Sequence, residues 1–426
     1  SNPSKLTDFN KSNETIEESE NIKMYLFMKN WQDKQNIYFN SFINDHHEAK
    51  KEFEKYAKEK YPYLKNINNR SLLGVVLLNE MPLIKLDQIL KFLENGIDDE
   101  LSYVIGGKAL GLAKLNYNNV DIPETFVIPV NSLYNALYLN ELNNLPCYNY
   151  SVRSSATVED NKKNSFAGLF VSKLDVIKND LNKNINEVLS SVFSERVDNY
   201  VKHFSTEKPY MAVVLQKFIS PIYSGVWLGE TLEKGHLEWV DGDGEKLVSG
   251  HVKPNYENWT ENVKEPLKIN GEAIGEKCIE LQNKLNAIAD FEWCNISNKL
   301  VFVQYRPTTA KITNITNDNN DELIGIPASS GIEVGVPYYL DDPNNTKNFP
   351  QDGILLTDYT DPDWVPIMIK SKAIITAEGG FLSHTAIISR ELGIPCITGF
   401  GYENLKKVSQ MEYIEVDGFK GTVLGK

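Results

Sequence analysis

Cysteine is scarce: the 426 residues hold four, Cys147, Cys278, Cys294 and Cys396, with no C-x-x-C spacing among them. That excludes a disulfide framework and offers no zinc ligand set, and it makes a reducing cytoplasm the expected compartment. Long apolar runs are missing as well. Stretches such as LLGVVLL (72–78) fall far short of the roughly 20 residues a membrane span requires. The leading SNPSKLTDFNKSNE has no hydrophobic signal core, so neither a membrane nor export is expected. Positive charge is in deficit, with 44 Lys and Arg against 58 Asp and Glu and a net charge of -14. Nucleic acid is therefore not an expected partner, because a phosphate backbone demands clustered Lys and Arg. A phosphorylated ligand would have to be held by a few local cations and a metal. No fixed-period repeat occurs.

What is present is a globular composition, 41% apolar and 24% charged, long enough for two or three domains. Residues 1–95 read as a mainly helical N-terminal segment. Tyr25, Phe27, Trp31, Phe39 and Phe42 are mixed there with many charges, and LIKLDQILKFLENG reads as a helix closed by glycine. His46 and His47 read as part of a solvated helix face, since no Asp, Glu or Cys partner falls into a known ligand spacing. From about 100 the texture changes to short apolar strands broken by glycine: YVIGGKALGLAKL, IPETFVIPV, YSVRSSA, YMAVVLQKFI, SGVWLG and KLVFVQYRP. Strands alternating with helical stretches predict an α+β or α/β multidomain fold. TTAKITNITNDNNDE (308–322) is polar and reads as a linker. After it, short strands and one helix make a compact β/α unit.

The chain has six histidines, and one stands in AEGGFLSHTAIISRELGIP (377–395). KAIITA predicts a strand, the paired glycines a tight turn, Ser383 a helix N-cap, and Gly393 the helix end. His384 then sits in the first helical turn, where partial positive charge and unpaired N–H groups stabilise an anion. A largely neutral imidazole can act as a nucleophile, and phosphohistidine is the product that suits this place. Read alone, the pattern also fits an ordinary N-terminal histidine.

GIPASSGIEVG, DGILLTDYTDPDWVPIM and AIITAEGGFLSHTAIISRELGIPCITG together closely resemble the swivelling phosphohistidine domain of phosphoenolpyruvate synthase, pyruvate phosphate dikinase and rifampin phosphotransferase. The resemblance places the phosphoryl-carrying histidine at His384. Leu382 stands where the synthases and dikinases have a threonine, and Thr385 replaces the usual alanine. The family implies an ATP-grasp domain upstream, and VIGGKALGLAKL (104–115) resembles its opening turn, with Lys108 on nucleotide phosphates. SVRSSATVED (151–160) is similar to the block that puts Arg153 on the phosphates. NSFAGLF (164–170) resembles the loop that closes over the triphosphate, with Gly168 allowing close approach and Ser172 at the place of a phosphate-binding threonine. Gln216, in MAVVLQKFI, is the polar candidate in an adenine-lining strand, with a core-strand reading equally open. GDGEKLVSGHVKP (242–254) resembles a stretch in which Glu245 assists metal or phosphate binding; His251 beside it reads as structural.

ADFEWCNISNKLVFVQYRP (289–307) pairs Glu292 with Gln304 and Arg306, the family's D-x-E-W…Q-x-R-P arrangement. Two strands joined by a turn at NISNK would bring these residues together, and alternation puts Gln304 and Arg306 on one face. An oxygen pair of this kind suits Mg²⁺, and Arg306 would neutralise charge on the transferred group.

The resemblance covers residues from about 100 to the end. It implies an ATP-grasp domain at 96–310 in two subdomains, a hinge at 311–323 and a swivelling phosphohistidine domain at 324–426. The implied activity is an ATP-dependent phosphotransferase of the dikinase type. ATP with Mg²⁺ passes its β-phosphoryl group to His384, releasing AMP and Pi, and the small domain delivers it to an acceptor. The expected acceptor is a small polar metabolite, such as the amino acid glutamine, bound by a separate domain or polypeptide. Two rival readings stay open: a non-catalytic ATP-binding or phosphocarrier module, and an ATP-grasp ligase that forms an acyl phosphate and releases ADP.

Overall fold

The computed structural model describes residues 54–55, 57–67, 72–94, 98–157, 169–204, 207–242, 254–259, 263–307, 323–381 and 383–426. His46, His47, Gly168, Glu245, His251, Leu382 and the segment 308–322 lie outside the described residues. Among the described residues no helix is long and apolar enough to cross a membrane.

Helix α1 (Leu72–Asn79), strand β1 (Ile84–Lys85) and helix α2 (Leu86–Glu94) lead into helix α3 (Asp98–Tyr117). The stretch from Tyr103, expected as glycine-broken strand, is helical on both sides of Gly106. Leu101, Val104, Ile105, Ala109, Leu112 and Ala113 are all buried, a recurrence at three and four that selects helix over strand. Gly106 interrupts the helix at φ 75°, and a Cβ there would lie 2.0 Å from the Ser155 carbonyl oxygen. Gly111, further along α3, approaches the Tyr305 carbonyl so closely that a Cβ would lie 2.1 Å from it. Residues 106 and 155 thus belong to one tight junction, and α3 is wedged between two sheets.

The first sheet adds β2 (Thr125–Ile128), β3 (Asn149–Ala156), β4 (Ser172–Ile177) and, after helix α4 (Leu181–Ser191), β5 (Met211–Lys217), in the order β1-β2-β5-β3-β4. The apolar run of β5 is buried from Met211 through Gln216, as befits a central strand covered on both faces. Leu181, Ile185 and Val188 of α4 pack on Tyr150, Val152 and Leu215.

The second sheet contains β6 (Tyr223–Thr231), β7 (Lys234–Asp241), β8 (Asn255–Asn258), β11 (Ala289–Ile296) and β12 (Lys299–Pro307) in the order β12-β11-β6-β7-β8; the short pair β9 (Lys268–Ile269) and β10 (Glu272–Ala273) and helix α5 (Ile274–Leu285) precede β11. Trp227, Leu237, Phe291 and Trp293 point to one face of this sheet and share a core with Tyr61, Leu64, Leu72 and Ile89. The described part of the N-terminal segment is built into that core.

The third unit is a mixed sheet of eight strands, in the order β13-β20-β19-β15-β16-β17-β18-β14. Its members are β13 (Leu323–Ile324), β14 (Ile326–Ser329), β15 (Ile332–Tyr339), β16 (Gly353–Thr357), β17 (Ala373–Thr376), β18 (Cys396–Thr398), β19 (Ile414–Asp417) and β20 (Thr422–Gly425), with helix α6 (His384–Leu392) between β17 and β18. Strands β15 to β18 run parallel, and β16 and β17 are buried at every residue, the pattern of strands covered on both faces. The Ser383 hydroxyl caps α6 by accepting the Ala386 amide, and Gly393 ends it at φ 67°, as its sequence predicts. The fold class is the expected α+β multidomain architecture.

Candidate active site

Antiparallel pairing puts side chains that are opposite each other on the same face. Glu292 on β11 pairs with Gln304 on β12 and with Val226 on β6. Val226 pairs with Glu238 on β7, and Glu238 with Tyr256 on β8. One row therefore crosses the second sheet on the face away from its Trp227–Phe291 core. The neighbouring row carries Arg306, Asp290, Leu228 and His236. Gln304 and Arg306 share this face, as alternation predicts.

A β-bulge directly follows the Glu292–Gln304 row. Glu292 pairs with Gln304 and Trp293 with Phe302, so Val303 is an extra residue in β12. Its carbonyl accepts a hydrogen bond from Arg153 Nη1 at 2.9 Å. Bulges re-aim groups in this way beside functional sites. Arg153, on β3 of the first sheet, donates from Nη2 to Glu292 Oε2 at 2.7 Å and to Gln304 Oε1 at 2.8 Å. Residues 139 and 151 positions apart are thereby joined across the two sheets. The Arg153 side chain is 15% exposed and that of Glu292 30%, so the pair is partly open to solvent.

Lys108 Nζ donates to Ser154 Oγ at 3.0 Å. Ser155 Oγ donates to the Ile105 carbonyl and accepts the Ala109 amide. The break at Gly106 thus sets the second half of α3 against β3, with Lys108 beside Ser154 and one residue from Arg153. Ser172 is exposed and pairs directly with Arg153. Lys108 and Ser154 are thus neighbours of the Arg153–Ser172 pair. Gln216 is buried in the same sheet, pairs with Ser151, and donates to Thr125 Oγ1 at 3.4 Å. Arg306 Nε donates to Asp290 Oδ2 at 2.8 Å. Burial raises the Asp290 carboxyl above its usual range, against the opposing pull of Arg306 and of Arg390 on α6.

Two oxygens converging on one cationic nitrogen show that Glu292 and Gln304 can share a cation. A hard metal such as Mg²⁺ takes a carboxylate and an amide oxygen readily and fills its remaining positions with water and phosphate oxygens. Among the described residues no group of three His, Cys, Asp or Glu side chains could hold a metal ion. A cation here would thus share its coordination with its substrate.

His384 opens α6 and is 6% exposed. Its Nδ1 lies 2.8 Å from Thr360 Oγ1, which is 2.8 Å from Thr385 Oγ1. The turn before it rests on the second sheet. Phe381 N donates to Glu238 Oε1 at 3.1 Å, and the Phe381 ring stacks on His236 with centroids 4.6 Å apart. Val226, Leu228, Val240, Phe381 and Ile387 form one apolar cluster. Strands lie about 4.8 Å apart, so Glu238, two strands from Glu292, is about 10 Å from it. Sequence alone does not single out His236 and Glu238, because polar residues alternating along GHLEW look like the solvated side of a strand, nor Phe381, which reads as one more apolar residue.

The arrangement is that of a two-lobed nucleotide-binding unit with a histidine-bearing domain seated on its cleft-side sheet. Residues 138–284 match the family described as pyruvate phosphate dikinase, AMP/ATP-binding domain. Residues 349–421 match PEP-utilising enzyme, mobile domain. The chain is 31% identical over 333 residues to phosphoenolpyruvate synthase of Pyrococcus furiosus, covering 64% of this chain and 40% of that one. It is 30% identical over 324 residues to a probable phosphoenolpyruvate synthase of Archaeoglobus fulgidus, covering 64% and 43%. These matches place residues 138–284 and 349–421 with the PEP-utilising dikinase family. The chain spans about two fifths of the length of these relatives.

Proposed function

We propose that this chain is the phosphohistidine-forming part of an ATP-dependent phosphotransferase of the dikinase type. The observation that supports it is a single sheet face carrying both the Arg153–Glu292–Gln304 cluster and the seat of the His384 turn. Lys108, Arg153 and Ser172 hold the phosphates of ATP, together with Gly168 and Glu245. Gln216 lies in the strand assigned to the adenine. Glu292 and Gln304 hold Mg²⁺, which when bound neutralises charge on the phosphate oxygens. Arg153, whose Nη2 now occupies the space between those oxygens, turns from the protein's anions to the substrate's.

His384 Nε2 attacks the β-phosphorus, because Nδ1 is engaged with Thr360. The bond from phosphorus to the α–β bridging oxygen breaks and AMP leaves with that oxygen. Water then removes the terminal phosphate as Pi, leaving phospho-His384. Arg306, steered by Asp290, stabilises charge on the transferred group. The N–H groups at the start of α6 favour the phosphoryl group once attached. Burial of His384 in the seated position excludes water from the ring. Delivery to an acceptor accordingly requires the domain to leave the sheet. The acceptor is a small polar metabolite, with an amino acid such as glutamine as the first candidate.

ATP labelled separately at the β and γ positions tests this reading. Acid-labile label is expected on the protein from the β position alone, with AMP as product, and none on His384→Ala. ADP without AMP would point to ligase chemistry, and label surviving in His384→Ala would remove the histidine from the route. AMP release screened against added glutamine, other amino acids and pyruvate identifies the acceptor.

A further inference from the structure

Glu238 is a buried carboxylate that the chemistry above does not use. It is 2% exposed. Oε1 accepts the Phe381 amide at 3.1 Å, while Oε2 has no hydrogen-bond partner among the described residues. Gly380 lies so close that a Cβ there would be 2.3 Å from Oε1. Phe381 packs against both His236 and Tyr256, which also stack on each other, and joins the apolar cluster with Val226, Leu228 and Val240. The seat therefore combines opposed forces: apolar contact draws the domain down, and an incompletely satisfied carboxylate resists being covered.

We infer that Glu238 is a positioning residue for the His384 turn, which accepts the Phe381 amide when the mobile domain is seated and links seating to uptake of a proton. The inference rests on the reading of His384 as the loaded residue. The ionisable groups around Glu238 are His236 on its own strand, Tyr256 on β8, Glu230 on β6 and Arg390 on α6. Burial pushes Glu238 from the ordinary 4.5 up to about 7, and the Phe381 amide and Arg390 pull against it. Burial also lowers His236 to about 4, so it stays neutral. A carboxyl whose pKa is raised on seating binds a proton on seating. Seating is then strongest at low pH, weakens by up to about tenfold per pH unit as pH rises through this window, and levels off above about pH 7.

Amide hydrogen exchange of the 377–388 peptide in the full chain, corrected for the chemical exchange rate, reads seating without any turnover. Wild-type protection is expected to fall by up to about tenfold per unit between about pH 5 and 7 and then flatten. Glu238→Gln keeps an acceptor and removes the charge, so its protection should stay high and independent of pH. Gly380→Ala probes the same contact from the other side and should lose protection throughout. Protection that is alike in wild type and both variants at every pH overturns the inference. A label that never reaches His384 while the exchange pattern holds would sink the proposed reaction and leave the seating role standing.

Discussion

Arg153→Lys separates a strut from a phosphate ligand. The guanidinium makes three hydrogen bonds across the two sheets, to the Val303 carbonyl, Glu292 and Gln304. A single ammonium on a shorter stem keeps one of them. Two lost bonds at a site partly open to water amount to about 2 kcal/mol, at the ordinary net value of about 1 kcal/mol each. For a unit of this size that lowers the melting temperature by about 4–8 °C. The same substitution removes the planar fork that meets phosphate oxygens, and losing one donor to a developing oxyanion costs about 100- to 1,000-fold in rate. Single-turnover transfer from β-labelled ATP to His384 should thus fall by about two to three orders of magnitude in a protein that remains folded at assay temperature. Loading within tenfold of wild type would refute the assignment of Arg153 to the phosphates. A collapse in melting temperature with unchanged loading in the folded fraction would show that its role is to join the sheets.

Glu292→Ala and Gln304→Ala should each reduce loading by more than about 100-fold and, by removing one acceptor of Arg153, lower the melting temperature by only about 2–4 °C; retained loading at ordinary Mg²⁺ would mean that the metal sits elsewhere. Thr385→Val removes the hydroxyl 2.8 Å from Thr360 Oγ1, so Thr360 is released to donate to His384 Nδ1, which places the ring proton on Nε2 and slows loading. ¹⁵N shifts of the His384 ring should move toward the Nε2–H form, with Thr385→Ser restoring wild type, and an unchanged spectrum would sink the relay. His236, lowered from 6.5 to about 4 by burial, contributes stability that is present above pH 6.5 and is lost as pH falls through about 4, by up to about 1.4 kcal/mol per unit. Chemical denaturation of wild type and His236→Phe over that range checks this, since the variant's curve should be flatter.

The local features of the site were legible in the sequence, and its long-range contacts were not. Ser383 and Gly393 bound α6 as their capping chemistry requires, and the spacing around NISNK brings Glu292 opposite Gln304. Those are neighbours along the chain or across one turn. The Arg153–Glu292 contact spans 139 residues, and periodicity carries no information about which sheet edge faces which. The stretch from Tyr103 read as strand because its glycines resemble strand punctuation; the spacing of Leu101, Val104, Ile105 and Ala109 was the better guide. His236 and Glu238 alternate like solvent-facing residues, and their burial comes from a different domain packing on that face.

The backbone contacts at Gly106 and Gly111 fasten one helix to Ser155 of the first sheet and Tyr305 of the second. Neither junction has room to slide by even a methyl group. The two lobes are consequently stitched along that seam, and any gape between them must open like a book on its spine, admitting nucleotide from the free edges and leaving Lys108, beside the binding, as the point that moves least.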